Sequence, residues 1–229
     1  MTSSIDRHGE TAWWESPDVL VLDRARLDLS DTSWMARART IDSRWTRAPK
    51  GLYAALPRLE RLRIIDGATP DLDELQGCRR LRGLEVQGVR RLVDLSAVAG
   101  LVSLEALSLY GLKDLRVVPS LARLTRLSWV DLGRLPSLEG IEGLLAAPHL
   151  TDLSFVRAVG VTPGDATRIA ASSVERFEWF AEDVPDREWV PFRAAVGLPR
   201  LSPTTMDGWF AARDLPSSPA APETHRHQA

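Results

Sequence analysis

Four carboxylates, Glu182, Asp183, Asp186 and Glu188, fall within one short stretch toward the carboxy-terminal end. Carboxylates that converge can divide the work of general acid and general base, so this stretch is the candidate for an active site. The alternative is an acidic turn in water. The two differ in one respect: an active site needs at least two of the four to face a common pocket. Other catalytic chemistry lacks its residues. His225 and His227 have the spacing of a metal pair, but they fall in a tail rich in Pro, Ser and Ala that would not preorganise ligands; His149 falls in a turn, and His8 stands alone. The single cysteine, Cys78, can form neither an internal disulfide nor a cysteine-based zinc site. No Gly-x-x-x-x-Gly-Lys loop, Gly-x-Ser-x-Gly elbow or Cys-x-x-Cys pair occurs. No cofactor or metal is implied, and the expectation is a protein that is not an enzyme.

Recognition is the other chemistry side chains offer, and here the candidates are better placed. Tyr110 and Trp129 are aromatics of the kind that anchor protein interfaces, and Arg63, Glu85, Asp131, Asp152, Glu178 and Phe180 stand at matching places in the chain. What makes the places match is a repeated phrase. Leu81-x-x-Leu84-x-Val86, Leu104-x-x-Leu107-x-Leu109, Leu127-x-x-Val130-x-Leu132 and Leu150-x-x-Leu153-x-Phe155 follow one another at a constant step. Leu59-x-x-Leu62-x-Ile64 precedes them at a step one residue shorter, and Val174-x-x-Phe177-x-Trp179 follows at a step one residue longer. A fixed period in this range is the signature of a repeat architecture.

Each repeat carries two periods. The phrase ends on apolar residues two apart, as in a strand, whereas the stretch after it places one every third residue (Leu92, Leu95, Val98 and Leu101, for example), as in a 3₁₀ turn or short helix. The predicted fold is therefore an α/β repeat solenoid: a right-handed horseshoe segment with a parallel concave sheet and a convex side of 3₁₀ turns and short helices. Cys78 takes the place of a core leucine and reads as a small hydrophobe. The expected organisation is an amino-terminal cap over 1–48, repeats over 49–180, a carboxy-terminal cap over 181–213 and a disordered tail over 214–229.

The repeats resemble the leucine-rich repeat family, in particular its short bacterial, internalin-like repeats. One departure is local. Where that family often carries Asn after the strand, this chain has Val89, Leu112 and Leu135, so the turn is expected to be held by apolar packing. The resemblance implies a non-enzymatic protein–protein interaction module that binds through the concave wall. On that wall, side-chain alternation aligns Arg61, Gly83, Ala106, Trp129, Asp152 and Arg176 in one row. Arg63, Glu85, Ser108, Asp131, Ser154 and Glu178 form a second row, and Ile65, Gln87, Tyr110, Gly133, Val156 and Phe180 a third. Tyr110 and Trp129 are expected to share a patch near the small residues Gly83, Ala106 and Gly133, with room for a partner's side chains.

Composition narrows the partner. Lys and Arg total 29 against 31 Asp and Glu, a net charge of -2, so no overall field favours nucleic acid or an anionic membrane. The acidic centre of the wall favours a partner protein with a basic or mixed surface. Lys113, Arg116, Arg123, Arg126 and Arg134 fall on the opposite side, away from the aromatics that nucleic acid would need beside them. Without an apolar leader, a long apolar span or paired cysteines, the chain reads as cytoplasmic. An inhibitor or immunity-type protein that neutralises a toxin or enzyme is one alternative role, and an enzyme with its site in the acidic carboxy-terminal stretch is the other.

Overall fold

A strand whose apolar residues recur every second position has one face for a core and one left over, and nine strands, most of them with this pattern, stand side by side in chain order. The structure, a computed structural model, describes residues 10–214. His8, His225, His227 and the tail after Asp214 lie outside the described residues. β1 (Ala12–Ser16) and β2 (Val19–Asp23) form an antiparallel hairpin. From β2 onward every pair is parallel, through β3 (Thr40–Arg44), β4 (Arg61–Ile65), β5 (Gly83–Gln87), β6 (Ala106–Tyr110), β7 (Trp129–Leu135), β8 (Asp152–Val159) and β9 (Arg176–Phe180). One line of register partners runs from Val19 through Thr40, Arg61, Gly83, Ala106, Trp129 and Asp152 to Arg176, so the coils lengthen slightly along the chain.

A parallel step needs a crossover, because the chain must travel back before it can run the same way again. The crossovers use 3₁₀ turns at Ser33–Met35, Asp73–Leu75 and Ser96–Gly100 and the short helices α1 (Leu52–Ala55) and α2 (Glu142–Leu145). The longer α3 (Pro163–Ala170) leads into β9. At its start the Asp165 carboxylate accepts hydrogen bonds from the Thr162 backbone N–H at 2.7 Å and hydroxyl at 2.9 Å, satisfying donors that a helix start leaves free. The apolar residues at every third position all face inward: Leu115, Leu121, Leu124, Ile141, Leu144 and Ala147 are fully buried. Cys78 is also buried there, and burial pushes its thiol up to about 12, so it stays protonated and packs as a hydrophobe. Val89 and Leu112 are buried just after their strands, and Leu135 is buried as the last residue of β7.

The parallel ladder starts earlier than residue 49, because β2 and β3 share its register. In β3 a core position is taken by Ser43, and the buried hydroxyl of Tyr53 donates to it at 2.9 Å, which satisfies a polar group that would otherwise be stranded. A second repeated feature follows the five-residue core of each strand from β2 to β8. Arg24, Trp45, Asp66, Gly88, Gly111, Arg134 and Arg157, equivalent in register, all have positive φ between 48° and 69°. The chain leaves the regular ladder there through a left-handed residue, at only two of these positions with the glycine that suits it; β7 and β8 resume pairing beyond it, at Leu135 and Val159, after a bulge.

Residues 181–213, expected as one end unit, divide in two. Phe192 of α4 (Asp186–Val196) packs beside the last strands, with ring centroids 6.2 Å from Phe155, 6.1 Å from Phe177 and 5.1 Å from Trp179. α5 (Met206–Asp214) does not extend this closure. It turns back and lies on the other face of the sheet, over the middle strands.

Candidate binding surface on the outward face of the sheet

Strand register puts the non-core residues into three aligned rows. Asp42, Arg63, Glu85, Ser108, Asp131, Ser154 and Glu178 form the middle row, flanked by the row of Trp129 and the row of Tyr110. With the segment before α5 as its far wall, this face encloses a groove of about 800 Å³. Arg63, Glu85, Tyr110, Trp129, Asp131 and Phe180 all line it; Asp152 and Glu178 do not.

The charges in the groove are unevenly matched. Arg63 lies among three carboxylates, 3.2 Å from Asp42, 3.3 Å from Glu85 and in direct contact with Asp207. Asp131 has no basic partner among the described residues and accepts a hydrogen bond from the Ser154 hydroxyl at 2.5 Å. Burial pushes its carboxyl up to about 6; Glu85 adds to the rise, and hydrogen bonds from Ser154 and Ser108 oppose it. Glu85 is also raised, first by burial and then by Asp42, against the pull of Arg63.

Three residues expected on an open wall are covered. Trp129 is 1% exposed, because α5 lies on it: the Trp209 ring is 6.3 Å away and tilted by 34°. Ala106, Trp129, Met206, Trp209 and Phe210 make a small apolar cluster separate from the main core. Asp152 is buried and held by Arg176, whose Nε and terminal nitrogen donate to it at 2.6 and 2.9 Å. Glu178 is buried between Arg193 at 3.4 Å and Arg200 at 3.3 Å. The small residues, expected to leave room for a partner, are filled from within the chain. A Cβ on Gly83 would come 2.7 Å from the Met206 sulfur and 2.8 Å from Phe210, and one on Gly133 would run into the Tyr110 ring.

α5 itself is not legible in the sequence as a partner for this face. Its apolar residues Met206, Trp209 and Phe210 have helical spacing, which is the signal for an amphipathic helix, but spacing does not say against which surface it packs. Its seat has one defect. The indole N–H of Trp129 is buried with no acceptor among the described residues, a loss of about 1–3 kcal/mol relative to a satisfied donor.

No two of the four carboxylates of the acidic stretch face a common cavity. Glu182 and Asp183 share Arg157 at 3.1 and 3.5 Å, Asp186 accepts from the Trp189 indole at 2.9 Å, and Glu188 pairs loosely with Arg187. Glu188 lines an apolar cavity of about 550 Å³ beside α3 and α4, Glu182 faces the groove on the sheet, and the other two line neither. Among the described residues no cluster of His, Cys, Asp and Glu could hold a metal ion. Among the same residues no helix is long and apolar enough to cross a membrane.

No protein-family model matches this chain, and no curated protein matches it in sequence. Among solved structures, an internalin from Listeria monocytogenes is similar with 17% sequence identity and a TM-score of 0.48, over 78% of this chain and 58% of that one. The chain thus spans a little over half the length of that internalin.

Proposed function

We propose that this chain is a leucine-rich-repeat solenoid, closed at its two ends by the β1–β2 hairpin and by α4, that serves as a non-enzymatic interaction module. It grips a partner protein through the outward face of the sheet. The observation that carries this reading is the groove of about 800 Å³ on that face: its floor is set by strand pairing and lies outside the main core. Five carboxylates line it against two guanidinium groups, so the surface it suits is basic or mixed. Tyr110 and Phe180, half-buried at its side, are the aromatic anchors, and Asp131 is the charge left for the partner to match.

The test is affinity. A partner captured with the intact protein is titrated against the wild type and against Tyr110→Ala and Asp131→Lys. Each substitution is expected to weaken binding by about tenfold or more, the cost of a central anchor or of a like charge. Undiminished binding by both folded variants would place the interface elsewhere.

A further inference from the structure

The seat of α5 has the features of a ligand site. Gly83 and Ala106 lower its floor, and Met206 and Phe210 fill the space that a side chain at Gly83 would need. Its rim is cationic: Arg61 and Arg63 both bind Asp207, and the guanidinium carbons of Arg61 and Arg82 lie 5.7 and 5.3 Å from the centroid of the Phe210 ring. Met206, Trp209 and Phe210 present one stripe of a helix at positions i, i+3 and i+4, the way an amphipathic helix enters a groove.

Three observations set this contact apart from the fold. The cluster under α5 is not continuous with the main core, so the seat can empty without opening the repeats. Ser202, Pro203, Thr204 and Thr205, which join α5 to the rest of the chain, are all exposed. The Trp129 N–H lacks an acceptor while α5 is in place, and Trp209, the ring beside it, is a donor only.

We propose that this seat is an exchangeable helix-binding site and that α5 is its intramolecular occupant. The ligand it takes from a partner is an amphipathic helix with a carboxylate in its first turn and apolar or aromatic residues at i, i+3 and i+4. A partner helix that offers Trp129 an acceptor displaces α5. This role for α5 rests on the face being a protein-binding surface, and it adds that the surface is regulated by the chain's own carboxy-terminal helix. A helix of this length does not hold its shape alone, so release of α5 unfolds it.

Two measurements on the full-length protein test the exchange without any partner. In native-state hydrogen exchange, the α5 amides are expected to exchange about 100-fold faster than those of β6. In a titration with a synthetic peptide of residues 202–214, a Trp209→Ala/Phe210→Ala variant, whose α5 is released, is expected to bind about tenfold more tightly than the wild type, where α5 competes at high effective concentration. Adding Gly83→Leu to that variant abolishes peptide binding while the thermal transition of the repeats persists. A dimer in which α5 crosses between copies supports the site and names a second copy of this chain as the ligand. Exchange of α5 as slow as that of β6 would overturn the proposal in the wild type itself. Equal peptide affinity for wild type and released variant, or binding that survives Gly83→Leu, would overturn it too. Neither failure touches the affinity test of the groove, and loss of that reading would leave these two results intact.

Discussion

The ring of Trp129 lies 6.3 Å from that of Trp209, centroid to centroid, in an apolar cluster that does not join the main core. The two clusters therefore contribute to different transitions. Trp209→Ala is expected to lower the global unfolding free energy by less than about 1 kcal/mol, because α5 can open locally before the repeats unfold. Phe177→Ala, in the main core against Phe155 and Phe192, is expected to cost about 3–5 kcal/mol. Urea denaturation followed by far-ultraviolet circular dichroism compares them.

The division between these clusters also marks how far the sequence can be read. Leu81 to Phe155 announce strand, crossover and row, because one phrase recurs at a constant step with the same side chains in the core, and the observed register aligns those rows residue for residue. β3 is harder to place because Ser43 breaks its apolar alternation, and the compensation, Tyr53, comes from a different segment. α5 escapes for a similar reason. Gly83 and Ala106 do signal an accommodating surface, but tertiary packing alone identifies Met206 and Phe210 as what fills it.

The carboxyl of Asp131 is raised from 3.8 to about 6, so the folded protein holds this proton more tightly than the unfolded chain does. As pH rises from about 4 to about 6, the native state has to ionise a buried carboxylate and stability falls, by roughly 2–3 kcal/mol in all. Asp131→Asn removes this dependence. The difference in unfolding free energy between variant and wild type is expected to grow across that window and to level off above it, and urea titrations at a series of pH values measure it.

The Tyr53 hydroxyl donates to Ser43 at 2.9 Å, with both residues buried. Tyr53→Phe or Ser43→Ala alone leaves a polar group unmatched and is expected to cost about 1–3 kcal/mol. The double variant removes both groups, so its cost is expected to fall below the sum by about 1 kcal/mol in a double-mutant cycle of thermal or chemical unfolding.

Gly111 and Arg134 occupy equivalent left-handed positions after β6 and within β7, at φ of 69° and 48°. A Cβ on Gly111 would meet nothing nearer than 3.6 Å, so Gly111→Ala isolates the backbone preference and is expected to destabilise by about 1–2 kcal/mol. Arg134→Gly relieves the same strain and is expected to be neutral or stabilising by up to about 1 kcal/mol. Paired melting curves compare the two.

Site-specific photo-crosslinking examines the outward face most directly. A benzoylphenylalanine replaces Tyr110, in the groove, or Val117, which is 60% exposed on a crossover. If the groove receives a partner protein, the probe at 110 captures it in a covalent adduct and the probe at 117 does not. A partner that crosslinks from 117 and not from 110 would contradict the assignment of this face as the binding surface.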